Sequence, residues 1–174
     1  MLAAARRGPA TLYLGLDTSI AALVAASRTA ARKPARGGAA NAAFIAGSAL
    51  DLPGPLACFA DAMTVLLPWG SLLQAVLSVD GLRAMRETAR PGATFEAVVS
   101  YDPARDVAEW GRLGLSPETL ECGEMERTLA LAGWCNHRVR EIGREELAAV
   151  GTTWAKKIAR SPGRRAWRLT AVAR

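Results

Sequence analysis

Short apolar segments alternate with helix-forming segments along almost the whole chain, and this alternation limits the folds that the chain can adopt. Apolar runs bounded by glycine, proline or polar residues predict strands at 11–16, 42–46, 60–67, 94–100, 134–142 and 166–172. Helical segments are predicted at about 2–7, 20–32, 71–77, 81–88, 103–131 and 145–160. This order predicts an α/β fold with a mostly parallel sheet. The last two predicted strands flank one helix at the C-terminus, and this arrangement is compatible with one of them running antiparallel.

The 174 residues suffice for one domain with an apolar core and are too few for two ordinary domains. The charges are unevenly distributed. Residues 1–36 carry six basic side chains and one acid, residues 147–174 carry seven basic side chains and no acid, and acids predominate between them. Two basic ends around an acidic middle suggest binding to a polyanion. Free use of Arg and Ala by a GC-rich genome explains the composition equally well.

Three cysteines, Cys58, Cys122 and Cys135, show no metal-ligand spacing, and the chain has a single histidine. We therefore expect no metal site, and interpret the cysteines as reduced core thiols of a cytoplasmic protein. The N-terminus lacks the long apolar stretch of a signal peptide. No apolar run approaches the roughly 20 residues of a membrane span.

Two strand ends carry residues suited to ligand binding. Asp17 closes the first apolar run, and an acid there can accept hydrogen bonds from ribose hydroxyls in nucleotide-binding folds. An Asp after a strand is more often a helix cap. The segment Leu67-Pro68-Trp69-Gly70-Ser71 places a large aromatic residue at a strand end, where open α/β sheets bind ligands. An ordinary buried tryptophan is the alternative.

A third segment, at 152–165, embeds Trp154 in a dense group of basic residues. Cations for phosphates and a flat aromatic face for a base are what binding to nucleic acids requires. The alternative is a solvated amphipathic helix whose tryptophan packs inward. We favour the nucleic-acid interpretation for this segment.

Taken together, these segments resemble one family. The runs at 68–73 (PWGSLL) and 153–157 (TWAKK) are similar to the two tryptophan motifs of the kanamycin–apramycin resistance 16S rRNA methyltransferases. The run at 33–38 (KPARGG) resembles the family's basic linker, and that at 14–17 (LGLD) its acidic strand end. The resemblance implies a Rossmann-like S-adenosylmethionine-dependent methyltransferase that modifies N1 of the decoding-site adenine in the 30S subunit and confers aminoglycoside resistance.

The resemblance also implies roles for individual residues. Trp69 and Trp154 would be the catalytic pair that sandwiches the flipped adenine. The residues implied to bind S-adenosylmethionine are Asp17, Ala49, Leu67, Ser71 and Thr152. The residues implied to dock on 16S rRNA phosphates are Arg32, Lys33, Arg36, Lys157, Arg164 and Arg165. A monomer in the cytoplasm with no membrane partner is expected.

The chain departs from the family pattern in two places. The family carries a glycine-rich cofactor loop after its first strand, upstream of the helix with which this chain begins. We therefore expect residues 1–174 to form a single methyltransferase domain that lacks the first strand and this loop. In addition, Leu50 follows Ala49 where the family often has an acid. The absent loop favours an alternative, a catalytically impaired rRNA-binding remnant. A tRNA guanine-N7 methyltransferase, which shares the fold, is a further alternative that the paired tryptophan motifs disfavour.

Overall fold

A computed structural model of the chain describes residues 1–52, 54–121 and 123–174. The chain divides into two compact units, Met1–Leu52 and Pro53–Arg174. Cys122, expected as a core thiol, lies outside the described residues. Each unit is described on its own below.

The first unit is a small parallel α/β element. It contains helices α1 (Leu2–Arg7) and α2 (Ile20–Ala30), strands β1 (Tyr13–Asp17) and β2 (Ala42–Ala46), and a 3-10 turn at Pro34–Arg36. The strands pair in parallel, with Tyr13 opposite Ala42 and Asp17 opposite Ala46. The hydroxyl of Ser19 accepts a hydrogen bond from the Ala22 N–H and so begins α2 as predicted.

Asn41 organises the N-terminal part of this unit. Its side-chain amide donates to the carbonyl oxygens of Ala5, Gly8 and Thr11 at 2.8–3.0 Å. These carbonyls belong to the end of α1 and to the turn before β1, where no helix or sheet partner is available. One side chain thus fixes the path of the chain from α1 into β1.

The second unit contains a four-stranded sheet and six helices among its described residues. Its strands are β3 (Ala60–Leu66), β4 (Ala89–Tyr101), β5 (Trp134–Glu141) and β6 (Arg165–Ala173). Its helices are α3 (Ser71–Val76), α4 (Val79–Thr88), α5 (Val107–Arg112), α6 (Glu124–Leu131), α7 (Arg144–Ala149) and α8 (Thr153–Ile158), with 3-10 turns at Gly54–Leu56 and Pro117–Leu120.

The strand order in this sheet is β3-β4-β6-β5. Strands β3 and β4 pair in parallel, whereas β6 runs antiparallel to both of its neighbours. The α/β fold is as predicted, and so is an antiparallel strand near the C-terminus. The described strands form a parallel two-stranded sheet and a mixed four-stranded sheet, where one mostly parallel sheet is expected. Among the described residues, β1 has no hydrogen-bonded neighbour except β2.

Aromatic and aliphatic side chains from α4, α6 and the sheet form the core of the second unit. The Phe95 and Trp134 ring centroids lie 4.9 Å apart, and the Trp134 indole N–H donates to the Leu82 carbonyl oxygen at 3.0 Å. Met125 and Leu129 of α6 are fully buried. An apolar indole with a satisfied N–H is a stable core element, and here it joins β5 to α4.

One predicted helix is interrupted in the structure. The sequence predicts a single helix at 145–160, but α7 ends at Ala149 and α8 begins at Thr153. Gly151 adopts a left-handed φ of +83°, which ends the first helix, and the Thr152 hydroxyl accepts from the Ala155 N–H at 2.9 Å to begin the second.

The cysteine interpretation is wrong at one position. Cys58 is exposed rather than part of the core. Cys135 is half-buried, with its Sγ 3.4 Å from the Val172 carbonyl oxygen. Within the described ranges, no group of three or more His, Cys, Asp or Glu side chains could hold a metal ion. No helix in those ranges has the length and apolar character needed to cross a membrane.

Candidate functional site

In the first unit, Asp17 and Ala49 follow the ends of neighbouring parallel strands. Asp17 is the exposed last residue of β1, and its Oδ1 accepts from the Ser19 N–H at 2.8 Å. Ala49 lies three residues after β2 and is half-buried. The carboxyl edge of a parallel α/β sheet is where ligands bind. The exposed carboxylate can accept further hydrogen bonds.

The basic loop between α2 and β2 is exposed and carries Arg32, Lys33 and Arg36. Its shape depends on Gly38, where an added Cβ would lie 1.6 Å from the Arg32 carbonyl oxygen. Only glycine permits such a close approach of two backbone segments. The glycines of the KPARGG run therefore shape the loop, and the basic residues project from it.

In the second unit, Trp69 lies in the turn between β3 and α3. Its side chain is 53% exposed, whereas Pro68 beside it is buried. Ser71, the first residue of α3, is exposed as well. The alternative of an ordinary buried tryptophan is therefore excluded for Trp69.

Helix α8 presents Trp154 and Lys157 to solvent while burying Ala155 and Ile158. Trp154 is 54% exposed, and the Lys157 ammonium lies 5.3 Å from the centroid of its ring. This distance is within the range of a cation–π interaction. Thr152, expected near the cofactor, caps this helix through its hydroxyl.

Trp69 and Trp154 belong to the same end of the four-stranded sheet. β3 and β4 end there, and the antiparallel β6, which follows α8, begins there. An apolar cluster under this end contains Val98, Ile158 and Ala159, with Leu67 packed against it. The tryptophan turn and the tryptophan helix thus rest on a common core.

Arg164 lies in a group of buried polar side chains that the sequence interpretation missed. Its guanidinium donates to the Asp106 carboxylate at 2.9 Å and to the Ser100 hydroxyl at 3.0 Å. It lies 3.6 Å from the Asp102 carboxylate, which also accepts from the Ser161 hydroxyl at 3.0 Å. We call Arg164, Ser100, Asp102, Asp106 and Ser161 the arginine cluster. An acid two residues after the end of the fourth predicted strand, comparable to Asp17 after the first, was the available signal.

The two carboxylates of the arginine cluster are balanced by Arg164 and by Arg105, which lies outside the cluster. Burial acts to raise the pKa of Asp102, but hydrogen bonds from the Ala104 N–H and the Ser161 hydroxyl, together with the charges of Arg164 and Arg105, lower it below the usual value. Asp102 is therefore ionised at neutral pH. Arg105 approaches it at 3.9 Å from the solvent side. Two carboxylates thus face two guanidinium groups, and no surplus positive charge is left there for a phosphate.

Arg164 and Arg165, which the resemblance assigns to phosphate docking, are both engaged with carboxylates. The Arg164 side chain is only 9% exposed and would reach a phosphate only by leaving the arginine cluster. Arg165 binds Glu141 and Glu121 and lies over the Trp167 ring. None of the salt bridges among the described residues involves the other docking residues, Arg32, Lys33, Arg36 and Lys157.

Replacing Arg164 by alanine is expected to lower the free energy of unfolding by about 3–5 kcal/mol, because it leaves buried carboxylates without their cation. Urea unfolding followed by circular dichroism measures this change. Arg165→Ala, which removes two half-exposed ion pairs, is the matched control and should cost about 1 kcal/mol or less for each pair. Equal losses for the two variants would show that the arginine cluster adds no more than a surface salt bridge.

Comparison with known proteins shows which family shares this sequence. The profile of the NpmA family, described as 16S rRNA (adenine(1408)-N(1))-methyltransferase, matches residues 1–173. The enzyme of that name from Streptoalloteichus hindustanus is 34% identical over 160 residues, which cover 88% of this chain and 72% of the relative.

Solved structures agree with the family match. A crystal structure of an aminoglycoside resistance methyltransferase has 37% identity and a TM-score of 0.77, over 98% of this chain and 81% of that one. A variant of the 16S rRNA (adenine(1408)-N(1))-methyltransferase of Catenulisporales acidiphilia, solved with the cosubstrate SAM, has 30% identity and a TM-score of 0.83. That match covers 99% of this chain and 79% of the other.

Proposed function

Since the chain belongs to the 16S rRNA (adenine(1408)-N(1))-methyltransferase family, we propose that it methylates N1 of adenine-1408 in the 30S subunit, with S-adenosylmethionine as methyl donor. Methylation at the decoding site would confer aminoglycoside resistance. The observation that best supports this function is the pair of half-exposed tryptophans, Trp69 and Trp154, at one end of the four-stranded sheet.

The residues at the strand ends fit S-adenosylmethionine. Asp17 presents an exposed carboxylate that can accept hydrogen bonds from the two ribose hydroxyls. Ala49 offers a small apolar surface for the adenine ring of the cofactor. Ser71 and Thr152 are proposed to lie near the sulfonium end, whereas Leu67 packs against the apolar cluster of its own unit. When bound, the cofactor supplies a methyl group on a positively charged sulfur, from which it leaves readily.

The two tryptophans are proposed to hold the target adenine between their rings. An adenine inside an RNA stack cannot reach the cofactor, so it must flip out, at a cost of a few kcal/mol. Stacking on an aromatic side chain returns about 1–3 kcal/mol per base. Trp69 and Trp154 are exposed before RNA binds, so their faces need not be uncovered by a rearrangement of the core.

The chemistry then depends mainly on positioning. N1 of adenine carries a free lone pair at neutral pH, so no general base is needed to create the nucleophile. Holding the base and the methyl group in line can supply several kcal/mol of the barrier reduction, about 7 or more in favourable cases. The enzyme therefore needs flat, rigid surfaces more than it needs titratable groups, and the exposed indoles meet this need.

Docking on the ribosome is proposed to use exposed cations. Arg32, Lys33 and Arg36 project from the basic loop of the first unit, and Lys157 projects from α8 in the second. Arg165 remains half-exposed, and Arg164 would first have to leave the arginine cluster. We propose that the protein acts as a monomer in the cytoplasm, where assembled 30S subunits are found.

Primer extension tests this function. Purified chain is incubated with S-adenosylmethionine and 30S subunits, and reverse transcriptase is expected to stop at adenine-1408, because a methyl group on N1 blocks base pairing. Subunits incubated without S-adenosylmethionine are the control. Stable 30S binding without a stop would refute methyl transfer and support the rRNA-binding remnant. In a parallel reaction, transfer of a radiolabelled methyl group from S-adenosylmethionine to tRNA but not to 30S subunits would support the tRNA guanine-N7 methyltransferase alternative.

A further inference from the structure

Leu67 has a backbone conformation that its side chain disfavours. Its φ is +55°, in the left-handed region that residues other than glycine and asparagine rarely adopt. Gly70, three residues later, has φ +58° and ψ −134°, a combination open to glycine. Trp69 therefore lies between two residues with positive φ. Such conformations persist where the surrounding structure enforces them, and they are found disproportionately at functional sites.

The surroundings of Leu67 show what enforces its conformation. Its N–H donates to the Val98 carbonyl oxygen at 2.8 Å and so continues the pairing between β3 and β4 by one residue. Its side chain packs against the buried cluster that includes Ile158 of α8. The hydrogen bond thus fixes the backbone of Leu67, and the apolar packing fixes its side chain.

The cluster beneath Leu67 also supports the helix that carries Trp154. Ile158 and Ala159 are buried in it and lie one turn beyond Trp154 on the α8 segment. Leu67 is therefore the point at which the Trp69 turn and the Trp154 helix share a core. A shift of Leu67 would change the position of one ring relative to the other.

We infer that Leu67 is a positioning residue that sets Trp69 relative to Trp154 through its strained backbone and its packing on the α8 cluster. This inference rests on the proposed function and assigns Leu67 a role other than the cofactor contact that the family resemblance implies. The Leu67 side chain makes its contacts with the protein core, and the strained turn orients the next exposed side chain, Trp69.

Methylation kinetics supply the first test. Leu67→Ala is expected to lower kcat by about tenfold to a hundredfold, since a misplacement of about 1 Å has effects of this size. The dissociation constant for S-adenosylmethionine and the affinity for 30S subunits should stay within about twofold, because Leu67 contributes no charge and, in this proposal, no cofactor contact. Leu67→Met, which nearly conserves volume, should restore most of the rate.

Leu129→Ala is the matched control. Leu129 is a fully buried leucine of α6 and is absent from the cluster under α8. Because Leu129 is the more deeply buried of the two, its truncation should destabilise the protein by at least as much, and it should leave kcat unchanged well below the unfolding temperature. If Leu67→Ala lowers kcat no more than Leu129→Ala does, the inference is overturned. A weakened affinity for S-adenosylmethionine with an unchanged kcat would overturn it in favour of the cofactor contact.

Fluorescence supplies a test that does not depend on activity. Trp110, Trp134 and Trp167 are at most 2% exposed, so Trp69 is the one exposed tryptophan in a Trp154→Phe background. Leu67→Ala in that background is expected to raise acrylamide quenching and lower the anisotropy of the quenchable emission, and Leu129→Ala is expected to change neither. An unchanged Trp69 signal would overturn the inference even if the wild-type chain methylates. If the wild-type chain does not methylate, the proposed function fails and the fluorescence result decides the role of Leu67.

Discussion

Alanine at either Trp69 or Trp154 is expected to lower methylation of adenine-1408 by about a hundredfold or more, because loss of one stacking face both destabilises the flipped base and leaves it poorly oriented. Affinity for the 30S subunit should change by less than about threefold, since phosphate contacts supply most of the binding energy. Primer extension measures the first quantity, and filter binding measures the second. Phenylalanine at either position keeps a smaller flat face and should cost less.

The exposed position of both rings makes this result easy to interpret. Each side chain is more than half exposed, so its removal leaves no large cavity and should lower stability little. Val107→Ala, which truncates another exposed apolar side chain of the second unit, is the control and should methylate normally. Full methylation by either tryptophan-to-alanine variant would show that this ring takes no part in holding the base.

Reversing the three charges of the basic loop should have the second large effect. In the Arg32→Glu, Lys33→Glu, Arg36→Glu variant, 30S affinity at low salt is expected to fall by about a hundredfold. The slope of log affinity against log salt should flatten by roughly 2–3, because each lost phosphate contact releases about one counterion fewer. The rate at saturating 30S concentration should change little, because these side chains serve docking and not the methyl transfer.

A charge-matched control separates docking from net charge. Arg83, Arg90 and Arg112 are exposed cations of the second unit that already lie near acids, at 3.0, 2.8 and 2.8 Å. Reversing these three changes the net charge by the same amount and should weaken 30S binding far less. Equal weakening by both triple variants would mean that overall charge, and not the basic loop, controls association with the ribosome.

The fold could be predicted where local sequence signals and packing agree. Strands β2 and β3 begin at Ala42 and Ala60 as predicted, because each is a short apolar run closed by a turn. The prediction was wrong where a helix-ending residue interrupts a segment with a continuous helical pattern. The periodic segment at 145–160 reads as one helix, yet Gly151 and Thr152 end one helix and begin another.

The residues of the candidate site could be predicted from the sequence, but their exposure and their ion-pair partners could be predicted only in part. The motifs identify Trp69 and Trp154, and the structure shows both exposed, but exposure does not follow from either motif alone. Arg164 lies in a basic run and resembles a docking residue in sequence. Its acidic partners Asp102 and Asp106 lie about 60 residues away, and only tertiary folding brings them to it.

Helix α8 has only six residues, between the break at Gly151 and the loop to β6. This short length affects the local stability of the site when the protein is warmed. A helix of this length is not stable in water by itself. Trp154 therefore keeps its position because α8 packs on the apolar core beneath it. Local opening of α8 therefore costs less free energy than global unfolding. Amide hydrogens of α8 should exchange earlier than those of β4, and warming should release the base-binding surface while the sheet is still intact.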